Sequence, residues 1–332
     1  MSLSKFFTII VLSVLLTYAG LKGYMYFKVR GAWNTLAEQS APFVQLQRGG
    51  ITSSLSGSAG VTDVSITFVE SGETVRVDRI EFLTSSMLDL MKLASASNSM
   101  ESAPFLFAKK NSAKLPKFIG FNIAGIHLDL DSEYLKTLDK AARENEKSTG
   151  FALAGCGDIS YIGMKEYREM GYSLMKFDIK TLIHLNPDKP TFTLKIDTGI
   201  PQMFRISSDA ELNIANADDP NLARATPRMV NMILAYQDDS FQQRVNKLCL
   251  SHGASDQQSV NHGQMAYFQH QMRTLGIELD QATLAAYQKF LEKPGTLTIK
   301  ISPSSPVDFA TIKFYKPSDV PALLGLSASA TH

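Results

Sequence analysis

The chain is poor in the residues that chemistry is usually built from. It holds two cysteines, Cys156 and Cys249, and six histidines in 332 residues, and its formal net charge is +1. A near-zero net charge supplies no field to hold a polyanion, which excludes nucleic acid as a partner. Neither a Walker sequence nor Gly-x-Gly-x-x-Gly is present, so no glycine-rich loop is expected to cradle phosphate. Gly57-Ser58-Ala59-Gly60 falls short of the Gly-x-Ser-x-Gly elbow, and it lies in a strand pattern where the elbow must open a helix. No catalytic residue, metal ligand or cofactor site is assigned, and the chain reads as a non-enzymatic protein.

The few reactive residues do not assemble by spacing. Cys249 and His252 make a Cys-x-x-His half-site of the kind zinc uses, with His262 and His270 downstream. The latter two are eight residues apart on one expected helix, about 12 Å along its axis, too far to share an ion. Gly155-Cys156-Gly157-Asp158 looks like a structural turn, since no histidine lies near it in sequence to activate the thiol. Cys156 and Cys249 are either a single disulfide of an exported protein or two unrelated buried thiols. Asp218-Asp219 and Asp238-Asp239 read as turn and helix-cap carboxylates rather than an acid/base pair.

What the chain does have is a long apolar run at its start. Phe6–Leu21 is uncharged, and if Lys22 snorkels the apolar stretch continues through Phe27. Tyr24, Tyr26 and Phe27, followed by Lys28 and Arg30, have the makings of an aromatic belt and its charged boundary. An uncleaved signal anchor over residues 1–30 is the preferred reading. A cleaved leader ending at Thr17-Tyr18-Ala19 is the alternative. Counting flanking cations slightly favours a cytoplasmic body, but large domains cross regardless of local charge. The body is therefore expected in the periplasm, tethered to the inner membrane by a single pass.

Beyond the anchor, 44% hydrophobic and 20% charged residues describe a globular body. Residues 31–94 read as a β-meander and a first strand–helix unit. In it Val64, Ile66 and Phe68 share a face, while Ile80 and Phe82 break the parity of Val75 and Val77 and call for a bulge near Asp78. Residues 95–117 read as a linker, 118–326 as an α+β body and 327–332 as a tail. A strand, a polar cap and a short amphipathic helix recur three times, at Ile80–Leu93, Ile126–Leu138 and Met232–Leu248. Capping boxes are expected at Ser240/Gln243 and Ser255/Gln258. A helix is expected over Ser160–Tyr172, a hairpin about residues 186–190, and a helix with a Met265, Phe268, Met272 and Leu275 stripe. One face of a later strand is expected to carry Val230, Met232, Leu234 and Tyr236. Another helix runs from Asp280 to Lys293, then strands at Leu297–Ile301 and Phe309–Tyr315, then a helical turn over Pro317–Leu326. The fold class is α+β, a mostly antiparallel curved sheet with packed amphipathic helices plus one N-terminal transmembrane helix. Lys109, Lys110, Lys114 and Lys117, flanked by Phe105, Leu106 and Phe107, could meet anionic lipid headgroups.

The anchor followed by Leu55-Ser56-Gly57, Val61, Val64-Ser65-Ile66 and Val75-Arg76-Val77-Asp78-Arg79-Ile80 resembles bacterial AsmA-like envelope proteins. Gly295-Thr296-Leu297-Thr298-Ile299, Pro303 and Pro306-Val307 are similar to anchored, uncharacterised proteobacterial proteins. The resemblance covers about the first 90 and last 40 residues. It implies an inner-membrane helix leading into a curved sheet with a greasy concave face. No functional residue carries over from it, and the middle of the chain, being helix-containing, departs from a long β-rich groove. The expected partners are the membrane and either phospholipid, bound on an apolar sheet face, or another envelope protein that the body docks as a scaffold.

Overall fold

The computed structural model describes residues 3–96, 116–144, 155–159, 161–186, 191–215 and 226–332, with side chains from Tyr18 onward except at 94–96, 134, 138, 142–144 and 215. Helix α1 (Leu3–Ser40) leads into β1 (Val44–Gln47), β2 (Gly50–Ser54), β3 (Ser58–Phe68) and β4 (Thr74–Thr84). After α2 (Met87–Ala96) come β5 (Phe118–Asp129), α3 (Glu133–Glu144) and α4 (Met164–Glu169). Four long strands follow, β6 (Leu174–Leu185), β7 (Thr191–Ile200), β8 (Phe204–Ala215) and β9 (Thr226–Asp238). Helices α5 (Phe241–Ser251), α6 (Gln257–Thr274) and α7 (Gln281–Glu292) precede β10 (Thr296–Ile301) and β11 (Val307–Asp308). The chain ends through α8 (Phe309–Ile312), a 3₁₀ turn at Pro317–Asp319, α9 (Val320–Leu323) and β12 (Ser327–Thr331).

All strands join one open antiparallel sheet in the order β1-β3-β4-β5-β6-β7-β8-β9-β10-β12, with β2 on β3 and β11 on β9. This is the mostly antiparallel α+β class read from the sequence. The order follows the chain because short turns can join only antiparallel neighbours. We call the end where β3 begins and β4 finishes the upper end. Helix α2 leaves from the upper end, and α3 and α5, which follow β5 and β9, leave from the lower. All three strand–cap–helix units are therefore real, and polar caps start them: Asp89 N–H donates to Ser86 Oγ (3.2 Å) and Leu135 N–H to Ser132 Oγ (3.2 Å).

The sheet has two unlike faces. One cross-strand line runs Val61, Ile80, Ile123, Ile179, Thr198, Ile206, Tyr236, Leu297, Ala330, each residue directly opposite the next. At about 4.8 Å per strand this apolar line spans roughly 38 Å. A parallel line runs Phe82, Phe121, Thr181, Ile196, Ser208, Leu234, Ile299. The other face is polar and ion-paired. Lys176 meets Asp78 at 2.5 Å, Lys195 meets Asp209 at 2.8 Å, and Arg205 meets Asp197. Asn122 and Asn231 donate to Glu81 and Glu211 at 3.2 and 2.8 Å. A sheet with one dry face and one wet face is the ordinary consequence of period-2 alternation.

The parity break in β4 is resolved by kinks on adjacent strands. Asp63 in β3 and Gly125 in β5 have positive φ (52° and 66°), and the β5–β6 register shifts between Ile123 and Ile126. Val77 and Ile80, three residues apart, consequently pack in the same cluster with Val61, Val64 and Ile126. A second bulge, at Val230 on β9 opposite Glu211 and Leu212, places Met229 rather than Val230 on the apolar face, beside Leu212. The expected stripe Val230, Met232, Leu234, Tyr236 is corrected to Met229, Met232, Leu234, Tyr236.

Several local expectations are corrected. The helix read over Ser160–Tyr172 shortens to Met164–Glu169, because Gly163 is extended and Gly171 adopts φ 87° just after it. Phe309–Tyr315 starts as helix rather than strand, since Asp308 Oδ1 accepts Ala310 N–H at 2.8 Å and caps the turn. Asp256, not Ser255, caps α6, accepting Ser259 N–H at 2.7 Å. Ser240 makes no capping bond with its side chain, which donates instead to Gln202 O, while Asp238 Oδ1 accepts Gln242 N–H at 2.9 Å. Leu275, read as part of the buried stripe of α6, is exposed, and Val260 and Asn261 are the buried positions.

Candidate functional site

The helices settle on the apolar face at its two margins. On the β1–β4 side, Met25, Val29 and Trp33 of α1, with Met87 and Leu90 of α2, pack on Ala59, Val61, Val64 and Val77. On the β9–β12 side, Met265 of α6 and Tyr287, Phe290 and Leu291 of α7 pack on Tyr236, Leu297 and Ala330. The upper margin over β7–β9 is covered by Ile312, Val320 and Leu323. The lower end is closed by the largest cluster, in which Phe241, Val245 and Leu248 of α5 meet Leu130, Met175, Ile200 and Met203.

Between these margins, among the described residues, no helix side chain shares a buried cluster with Ile179 and Ile183 of β6 or Ile196 of β7. Ile179, Ile183 and Ile196 are only half-buried and belong to none of these clusters, and Phe121 is 55% exposed. Apolar side chains only partly buried at the centre of a sheet leave a surface that something else can cover.

Toward α5–α7 the strip opens into a cavity of about 560 Å³. Its floor is Phe204, Ile206, Tyr236 and Leu297, and its walls are Phe241 and Val245, Tyr267 and Phe268, and Tyr287 and Phe290. Aromatic packing holds the shape. The Tyr236 ring stacks on Phe204 (5.7 Å) and meets Phe290 edge-on (5.6 Å), and Phe268 lies 4.5 Å from Tyr287. Some of its polar groups are already bonded. Gln242 Nε2 donates to Asn246 Oδ1 (3.1 Å) and Gln264 Oε1 (3.0 Å), and Tyr236 OH donates to Asp238 Oδ1 (3.1 Å). Burial pushes the Tyr236 and Tyr287 phenols up, so both are neutral donors at physiological pH. Burial also raises the Asp238 carboxyl. The arrangement offers a largely apolar, shaped volume with amides at one wall.

The residues singled out from sequence lie elsewhere. Cys156 and Cys249 are joined as a disulfide at the lower end, Cα–Cα 4.4 Å, across a separation of 93 residues. Cys249 is thus bonded to sulfur, and both ring nitrogens of His252 are engaged, Nδ1 to Asp158 (2.9 Å) and Nε2 to Glu169 (2.8 Å). His262 and His270 are exposed on α6. Lys109, Lys110 and Lys114 lie outside the described residues, as do Asp218 and Asp219. Lys117 is exposed at the upper end, where its N–H donates to Ser85 Oγ at 3.2 Å. The cavity itself was not legible as a site. The only signal for it was the aromatic content of Phe204, Tyr236, Phe241, Phe268, Tyr287 and Phe290, which reads equally as core.

A protein-family model described as “Uncharacterized protein” matches residues 190–331. No curated protein matches the chain. The matched stretch starts just before β7 and holds every residue lining the cavity except Ile162. It contains the closing stretch Gly295–Val307 but does not reach Leu55–Ile80, so the AsmA-like resemblance gains no support from it. Among the described residues no helix is long and apolar enough to cross a membrane, and the Phe6–Thr17 side chains of the expected anchor lie outside the described ones.

Proposed function

We propose that this protein is a non-enzymatic lipid-holding protein of the bacterial envelope, tethered by α1 to the inner membrane with its body in the periplasm. The observation that carries the reading is the partly exposed apolar strip between the α1–α2 and α6–α7 margins, covered by no helix among the described residues and continuous with the cavity against Tyr236. Acyl chains suit it because they need a dry wall and almost no polar partner, which is what the floor supplies. The disulfide between Cys156 and Cys249 supports an oxidising compartment. The geometry of α1 supports the tether. Among its described side chains, the first deeply buried one is Met25, 2% exposed, and the helix begins at Leu3. The portion ahead of Lys22 is about 28 Å long at 1.5 Å per residue, close to a hydrocarbon thickness of about 30 Å. The scaffold reading, a body that docks another envelope complex, requires the strip to meet protein instead.

The test is to reconstitute the full chain in vesicles containing a phospholipid with a photoactivatable diazirine on its acyl chain. After irradiation and digestion, adducts are expected on peptides of β6–β9, α6 and α7, and Ile196→Asp should reduce them. Adducts confined to residues 3–40 would overturn the lipid-holding reading while leaving the tether intact.

A further inference from the structure

The upper end of the molecule carries exposed apolar side chains of the kind that sit in a lipid interface, and it is the end from which α1 departs. The direction of α1 follows from its contacts. Phe43, just beyond its C-terminus, accepts Val69 N–H at the lower end of β3 (3.0 Å), whereas Met25 packs with Ala59, Met87 and Leu90 at the upper end. The helix therefore rises along the sheet and leaves it upward, Tyr18, Ala19 and Gly20 being already exposed. Beside this exit, Leu55 in the β2–β3 turn is 56% exposed and Leu88 on α2 is 63% exposed.

Far across the same rim lies a second group. β11 pairs with the first residues of β9 and β12 starts opposite the end of β10, which puts α8 and the chain between them at the upper end. There Phe314 is 78% exposed and Tyr315 is also exposed, while Lys313 and Lys316 flank them. The Lys313 ammonium lies over the Phe314 ring at 5.2 Å, a cation held at the root of an aromatic wedge. Two exposed aromatics between two lysines are the side chains that peripheral segments place at the boundary of headgroups and acyl chains.

We infer that the Lys313–Lys316 segment is a second membrane contact, inserting Phe314 and Tyr315 into an anionic phospholipid surface on the far side of the rim from α1. This rests on the tether proposed above. One pivot alone would leave the body free to swing. A second contact across the sheet holds the upper end against the bilayer, so that the apolar strip meets the lipid surface at a fixed angle.

The experiment uses the full chain in vesicles of phosphatidylcholine and phosphatidylglycerol with brominated acyl chains, which quench indole only at acyl depth. In a Trp33→Phe background, single indoles are introduced as Phe314→Trp, Leu15→Trp in the tether and Leu250→Trp at the lower end. Strong quenching of the Phe314→Trp and Leu15→Trp proteins, with the Leu250→Trp protein unaffected, is the expected result. Lys313→Glu with Lys316→Glu, or omission of phosphatidylglycerol, should then weaken quenching at position 314 alone. Quenching at position 15 without position 314 overturns this inference and leaves the tether standing. Quenching at neither overturns both.

Discussion

His252 shows how one side chain can link two segments that are far apart in sequence. It follows α5, and its ring joins Asp158 of the cysteine turn to Glu169 of α4. The hydrogen bond to Glu169, and then that to Asp158, hold its folded pKa above the ordinary 6.5. For a group whose pKa is raised on folding, the stabilisation is fully present below the unfolded value and is lost as pH rises through the folded one. Melting temperature should therefore fall as pH climbs past 6.5 through that raised value, and His252→Gln should remove this part of the dependence. An unchanged profile in the variant would show that the pair contributes nothing. Gly157 works at the same place by absence of a side chain. A Cβ there would come within 1.8 Å of His252 O, at φ 64°. Gly157→Ala should cost about 1–3 kcal/mol from backbone strain alone, read by denaturant unfolding. Neither contact was visible in sequence, because 94 residues separate Asp158 from His252.

Among the elements, the strands were the most legible. Period-2 alternation located β3, β4, β6, β7 and β10, and even the parity break at Val77–Ile80 pointed to the irregularity seen there. Helix caps were read less well, since Ser240 and Ser255 have neighbours, Asp238 and Asp256, whose carboxylates are stronger acceptors at a helix start. The α6–α7 pair shows why amphipathic spacing alone misleads. Leu275 has the period of the stripe, but it is the C-cap just past the last helical residue, Thr274, and stays exposed. α7 carries the contact instead, with Phe290 5% and Leu291 1% exposed against Ala330 and Tyr236. Phe290→Ala should destabilise by about 3–5 kcal/mol and open the cavity wall. Amide exchange should then rise in α7 and β12 ahead of β5–β7.

At the scale of the whole molecule, the disulfide closes a loop of 93 residues that contains α4 and β6–β9. On the chain-entropy model such a closure contributes about 4–5 kcal/mol by restricting the unfolded state. Cys156→Ser with Cys249→Ser should lower stability by that order, and reductant should do the same to the parent but nothing to the variant. A double variant as stable as the parent would show that the closure contributes nothing.

The order of hydrophobic and polar residues alone determined the class of this protein: alternating strands, short turns and three strand–cap–helix units admit little other than an antiparallel α+β sheet. Local spacing is enough for that, because backbone periodicity and turn chemistry act over a few residues. What covers the sheet was decided only by tertiary structure. Whether Ile179 and Ile196 are core or open floor depends on where α1, α6 and α7 come to rest, and those helices are placed by contacts tens to hundreds of residues away. The same side chains would be ordinary interior under a helix, and they become a candidate binding face because, among the described residues, no helix shares a buried cluster with them.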